Sequence, residues 1–307
     1  MTIKSANTRA WASIIVMAFL GGACASGKEA SSALQSEEIR VYAVHKPERM
    51  DDFAWENDLV AFRAYGPAAR SGAENNGIDA WYKYVTRPVI EQRYDDHLNN
   101  DQSYHKDWGN GYDIYHVGSS AGIGSEALWI DGQRVGMETW VEHRIVSISR
   151  ERVEFVLEYR LEHESHVYTQ QKTVVLELGS QLFSVDSVFY KDGQLAVDLP
   201  IAVAVATHDG AAQSVISPDY GVISTWEVLQ DGFGVGSAVI VPEDRIVAEA
   251  LILDEGVKDS GHALYVLHTD SAGSVSYHAG FAWQRAGVIT DFAQWRTYLN
   301  EYSMRLR

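Results

Sequence analysis

The chain predicts an all-β fold, an antiparallel β-supersandwich with a short C-terminal helix, on three observations. Runs of alternating or β-branched residues recur from Ile39 to Ala282. Turn signals separate them, among them Asp131-Gly132, Asp192-Gly193, Asp209-Gly210 and Asp231-Gly232. Residues 37–307 contain no second linker, and a single β domain of that length suggests large sheets packed face to face.

The clearest strands are expected at 39–44, 59–65, 80–85, 140–148, 152–161, 167–178, 182–190, 201–206, 222–229, 263–267 and 274–282. Several lie one tight turn apart, which favours antiparallel meanders over crossover connections. At the end of the chain Phe292, Trp295, Tyr298, Leu299 and Tyr302 recur at helical spacing after a capping position at Thr290 or Asp291. That aromatic stripe is expected to dock on a sheet.

The N-terminus reads as an export signal. Lys4 and Arg9 precede an apolar run at 11–20, too short for a spanning helix, which needs roughly 20 apolar residues. Residues 1–23 form the signal segment, 24–36 a flexible tether and 37–307 the domain. Two processing routes fit: cleavage at the Ala23-x-Ala25 site, giving a soluble periplasmic protein, or lipidation of Cys24, giving an outer-membrane lipoprotein. Cys24 is the one cysteine, so no intramolecular disulfide can form and stability must come from the core.

The formal charge is −17; discarding residues 1–23 removes Lys4 and Arg9, leaving 23 basic against 42 acidic residues and −19. So acidic a surface argues against a nucleic-acid partner, whose phosphates demand Lys and Arg. An anionic ligand must find a local basic pocket.

Two segments break the alternating pattern. Residues 48–67, ERMDDFAWENDLVAFRAYGP, crowd Arg49, Asp51, Asp52, Trp55, Glu56 and Asp58 ahead of Arg63 and Tyr65. Carboxylates for sugar hydroxyls, an Arg fork for a carboxylate and a flat Trp face suit a sugar site; a salt-bridged loop at a sheet edge is the alternative. Residues 104–131 begin Tyr104-His105-Lys106-Asp107-Trp108 and continue through Gly109, Gly111, Gly118, Gly122 and Gly124. His105 near Asp107 has the makings of a carboxylate-oriented acid or base. The glycines lack the setting of a phosphate-binding loop.

Further along, His208 is expected at a sheet rim, and Glu227 follows Trp226 inside an apolar strand. Tyr277 and Trp283 flank Gly280. Together these outline a cleft. His105, Asp107 and Asp113 could share a metal ion if their loop folds back; the sequence requires no cofactor and leaves a metal ion open. We do not read a Ser-His-Asp hydrolase here.

The strings ERMDDFAWENDLVAFRAYGP and YHKDWGNGYDIYHVG resemble a family of exported bacterial proteins, encoded in polysaccharide-utilisation loci, that includes the ulvan-oligosaccharide dehydratase. Weaker matches follow at ATHDG (206–210) and YHAGFAW (277–283). The resemblance implies a galactose-mutarotase-like supersandwich acting on an acidic, uronic-acid-containing oligosaccharide. The implied reaction is loss of water from the unsaturated uronyl end left by a polysaccharide lyase. The matching positions are Arg49, Asp51, Asp52, Trp55, Glu56, Asp58, Arg63, Tyr104, His105 and Asp107. Trp108 departs from the smaller or acidic neighbour expected there and puts substrate choice in question.

Eliminating water needs a base for a carbon-bound proton, an acid for the departing hydroxyl and a cation for the uronate. His105, His208 and Glu227 are the acid/base candidates, Arg49 and Lys83 the uronate partners, and Trp55 and Trp226 the stacking faces. Asp52, Glu56, Tyr104, Asp107, Tyr277 and Trp283 complete the expected binding set. Two other readings stand beside this one: a non-catalytic glycan-binding surface lipoprotein, and a glycoside hydrolase using Asp52 and Glu227.

Overall fold

The computed structural model describes residues 38–252 and 260–307, so the expected signal segment, the expected tether and Cys24 lie outside the described residues. In chain order the strands are β1 (Tyr42–Lys46), β2 (Asp52–Glu56), β3 (Ala61–Ala64), β4 (Ile78–Ala80), β5 (Tyr82–Lys83), β6 (Gly111–Tyr112), β7 (Ser125–Ile130), β8 (Gln133–Gly136), β9 (Trp140–Ile148) and β10 (Arg152–His163). They continue with β11 (His166–Glu177), β12 (Leu182–Lys191), β13 (Gln194–Leu195), β14 (Pro200–Ala206), β15 (Gln213–Ser217), β16 (Val222–Val228), β17 (Gly234–Ile240), β18 (Ile246–Ile252), β19 (His262–His268) and β20 (Ser274–Trp283). Helix α1 (Ile90–Asn99) lies between β5 and β6, and α2 (Phe292–Leu306) follows β20.

Among the described residues these strands build a large antiparallel sheet in the order β15-β16-β17-β20-β12-β11-β10-β9, with β13 on β12. A second sheet runs β18-β19-β14-β7-β8, a third β1-β2-β3-β4, and β5 pairs with β6. One continuous core joins the three larger sheets: Phe53, Trp55 and Phe62 from the third meet Phe155, Phe183 and Phe281 of the first, while Val203, Val205 and Tyr265 come from the second. This is the sandwich the alternation predicts. In β11 every second residue from Tyr168 to Leu176 is buried, the period-two signature of a half-covered strand.

The C-terminal helix also follows its expectation. Asp291 caps it by accepting from the Gln294 N–H at 2.9 Å, and Gln294 Oε1 accepts from the Thr290 N–H at 3.1 Å, which ties the chain entering the helix to its first turn. Trp295 and Leu299 are fully buried against β16, β17 and β20. Gly236 makes this docking feasible, because a Cβ there would collide with the rings of Trp295 and Trp226.

The sequence reading misses β2, β6, β7, β8, β13, β15, β17, β18 and α1. β2 is buried on both faces, so it shows no alternation, and it lies inside the segment read as a charged cluster. β17 is broken up by Gly234 and Gly236. Helix α1 lacks a side-chain cap of its own; its first N–H groups are taken by a residue more than thirty positions earlier, as described next.

Candidate functional site

In β2 the side chains alternate. Phe53 and Trp55 enter the core, where Trp55 lies against Phe62, Phe155 and Phe183 with no exposed face, so it is a core residue and not a sugar platform. Asp52 and Glu56 point the other way, beneath α1. The Glu56 carboxylate accepts from the Val89 and Ile90 N–H groups at 2.8 and 2.9 Å, supplying the missing cap where the helix dipole favours an anion. Lys83 donates to Glu56 (2.8 Å), the Asn57 carbonyl (2.7 Å) and the Arg87 carbonyl (2.9 Å), which uses all three ammonium hydrogens. Both groups are fully buried, so the expected uronate role of Lys83 and the ligand role of Glu56 give way to a structural ion pair.

Beside them Arg63 on β3 gathers three carboxylates: Asp79 at 2.5 Å, Asp113 at 3.3 Å and Asp52 at 3.5 Å. Burial pushes all three aspartates upward against the pull of Arg63, Asp79 most strongly because the Asp113 charge adds to it. Asp52 is also held by the Tyr94 hydroxyl at 3.0 Å and has no exposure, which removes it from the proposed hydrolase pair.

Above Arg63 lies the constellation of chemical interest. The Tyr104 hydroxyl accepts from Arg49 Nε (2.9 Å) and Arg63 Nη1 (3.4 Å), which occupies both oxygen lone pairs and leaves its hydrogen to donate. His105 Nδ1 donates to the Asp113 carbonyl at 2.9 Å; a carbonyl only accepts, so this bond sets the tautomer and leaves Nε2 as the basic nitrogen. The His105 side chain is 55% exposed. His97, at the end of α1, stacks on Tyr104 with ring centroids 4.2 Å apart. Its pKa is lowered by burial first and then by the guanidinium charges of Arg49 and Arg63, so this corner of an acidic protein carries a positive field. Among the described residues no carboxylate forms an ion pair with Arg49.

The Arg49 turn is strained. Met50 and Asp51 both adopt left-handed backbone at φ 53° and 59°, a conformation that costs non-glycine residues about 1 kcal/mol or more each. Gly66 packs so closely on the Asp51 carbonyl that no side chain fits there.

Asp107 does not orient His105. Burial alone would raise its pKa, but N–H groups of Gly109 and Gly111, the Tyr84 hydroxyl and Arg285 (2.7 Å) together pull it below the usual range. It pins the glycine-rich turn, and the main chain of Asp113 holds His105 instead. With Asp107 turned away, His105, Asp107 and Asp113 do not form a shared metal set, and no such cluster occurs among the described residues.

The other expected acid/base pair stands apart. His208 Nδ1 lies 2.6 Å from Glu227 Oε1, and its Nε2 donates to the His116 carbonyl at 2.7 Å. His208 and Asp209 are again consecutive left-handed residues, at φ 47° and 57°. The structure therefore joins His208 to Glu227 but links neither to His105. Trp226 faces away from Glu227 and stacks near Phe292 of α2, so it braces the helix. Tyr277 is buried and donates to Glu126, which also pairs with Lys172 at 3.1 Å between the sheets. Trp283 is 2% exposed and packs on Tyr82, leaving no face for a ligand.

Residues 118–122 read Gly-Ser-Ser-Ala-Gly, which does have the form of a nucleophile elbow. Ser120 nevertheless serves no Ser-His-Asp triad: it has no exposure, donates to the Val117 carbonyl at 2.6 Å and accepts from the Gly122 N–H at 3.0 Å. His97 escaped the sequence reading because α1 did.

Comparison with known proteins gives a relative in sequence and distant structural matches. The chain is 29% identical over 277 residues, 87% of its length and 68% of the other, to uncharacterized protein P7 of Formosa agariphila. Among solved structures, a heparinase III matches with TM-score 0.42 and 12% identity over 80% of this chain, which spans only 36% of that protein. A putative aldose 1-epimerase from Klebsiella pneumoniae matches with TM-score 0.43 and 10% identity over 90% of both chains. A sequence profile covers almost everything, from residue 3 to residue 307, and the chain belongs to the family it describes, Domain of unknown function (DUF4861).

Proposed function

We propose that the protein is a carbohydrate-active lyase that removes water from unsaturated uronyl-terminated oligosaccharides such as ulvan fragments. One observation carries the reading: an exposed His105 with its Nε2 free sits beside a tyrosine hydroxyl held between two guanidiniums, in a locally positive field on an acidic protein. Arg49, half-buried and without a carboxylate partner among the described residues, holds the uronate through its Nη atoms. His105 Nε2 takes a carbon-bound proton of the uronyl ring, and the electron pair of that bond forms the new double bond. The carbon–oxygen bond breaks, and the departing hydroxyl takes that proton back from His105 Nε2 to leave as water. Tyr104, 2% exposed, does not reach the substrate; its hydroxyl positions Arg49, whose guanidinium stabilises the charge that builds on the uronate. His208 and Glu227 play no part in the step.

On the same reading the signal segment and Cys24 put the enzyme outside the cytoplasm, tethered where lyase products arrive. The test is incubation with a panel of lyase-generated unsaturated oligosaccharides followed by mass spectrometry. Loss of one water is expected, and it should vanish in His105→Ala. Binding without any mass change across the panel would replace this reading with the glycan-binding one.

A further inference from the structure

Trp108 lies three residues beyond His105 and is 52% exposed, and among the described residues no other tryptophan is exposed. An exposed tryptophan on a loop is commonly mobile, but this one is fixed by its edge. Its indole Nε1 donates to the Ser103 carbonyl at 2.9 Å. That carbonyl also accepts from the Lys106 N–H at 3.0 Å, while the Ser103 hydroxyl accepts from the His105 N–H at 3.3 Å. One residue thus holds the catalytic histidine, the turn and the indole together. With 52% of the residue exposed, the ring keeps surface open to solvent. The Asp107 contacts to Gly109 and Gly111 lock the same turn from below.

A flat apolar ring, held by its edge and half exposed on the turn that carries His105, matches the apolar C–H face of a pyranose ring. Three residues of chain span at most about 11 Å, so His105 and Trp108 lie within reach of one short oligosaccharide. We propose that Trp108 is the stacking platform of the subsite next to the uronate pocket, taking the second pyranose ring of the same oligosaccharide. This rests on the reading of Arg49 and His105 as the uronate site, and it makes chain length the property Trp108 selects.

The experiment titrates the full chain with glucuronic acid and with a uronate-terminated tetrasaccharide, following tryptophan emission and its quenching by iodide. The tetrasaccharide should shift the emission and protect it from iodide. Trp108→Ala, checked for an unchanged circular dichroism spectrum, should lose the protected component and bind the tetrasaccharide roughly tenfold more weakly. Trp108→Phe should keep part of that affinity. Glucuronic acid should bind wild type and Trp108→Ala alike. Equal tetrasaccharide affinity in wild type and Trp108→Ala, or binding without iodide protection, would overturn the platform. Because binding needs no turnover, a platform that passes while no water is lost would leave the subsite standing and bring down the dehydration reading alone.

Discussion

Replacing Lys83 by Met separates a structural role from a ligand role at one buried position. The ammonium now satisfies Glu56 and the carbonyls of Asn57 and Arg87, all within 2.9 Å. Methionine fills much of the volume but leaves a buried carboxylate without its counter-ion and two carbonyls without donors. Breaking a buried pair from one side costs about 3–5 kcal/mol. At about 2–4 °C per kcal/mol for a domain of this size, the melting temperature should fall by on the order of 10 °C. The double variant Glu56→Gln/Lys83→Met should recover part of the loss, since the amide oxygen can still accept from Val89 and Ile90 while the unpaired charge is gone. Differential scanning fluorimetry of the two single variants and the double variant reads the cycle. A Lys83→Met protein that melts like wild type but binds uronate more weakly would refute the structural assignment and return Lys83 to the ligand set.

In the proposed reaction His105→Ala should lower turnover by about 10²–10⁴-fold while substrate binding measured by calorimetry changes little, whereas Tyr104→Phe, which releases Arg49 Nε, should chiefly weaken binding. Acid should destabilise the fold through His262, whose Nε2 accepts from the Ala121 N–H at 3.0 Å and whose pKa is lowered to about 3 by burial and then by Arg134. The folded state excludes a proton that the unfolded chain binds, so stability is full above about pH 6.5 and drops by roughly 2 kcal/mol between pH 6.5 and 5. Urea unfolding of His262→Gln across that range should show a shallower slope, with a remainder from His278, lowered to about 4 by burial; an unchanged slope would be contrary. Gly236→Ala should push Trp295 and Trp226 off β17 and lower the melting temperature by several degrees, which a thermal scan checks. Finally, intact-mass analysis of protein from an exporting host should find a lipidated Cys24 at the N-terminus; a chain starting at unmodified Ser26 would point to the soluble periplasmic route.

Much of the fold was legible in the sequence because its strands leave two kinds of record. The strands from β9 to β12, with β14, β16, β19 and β20, follow expectation to within a few residues: β14 and β19, buried on both faces, read as continuous apolar runs, and in β10 to β12 burying about every second side chain leaves a period-two record. The helix α2 was legible for the same reason at a different period. Illegible were β2, buried on both faces, β17, with glycines where the helix presses on it, and α1, capped by the distant Glu56. In each case the cause of the local structure lies in another part of the chain.

The candidate site divides in the same way. Residue type and proximity in sequence were enough to single out Arg49, Tyr104 and His105, because all three stand in one exceptional pair of segments. They could not tell a pocket from a core. Trp55, Glu56, Lys83, Asp107, Tyr277 and Trp283 have the chemistry of ligand residues, and only the tertiary structure shows their hydrogen bonds and faces already taken within the protein. Nor could the sequence say that Asp113, through its main chain, sets the tautomer of His105, or that His208 belongs with Glu227. Those assignments depend on which acceptor a donor meets across long stretches of chain. The identity of the side chains sets what chemistry is possible; the packing of the sheets decides which of it remains unspent at the surface.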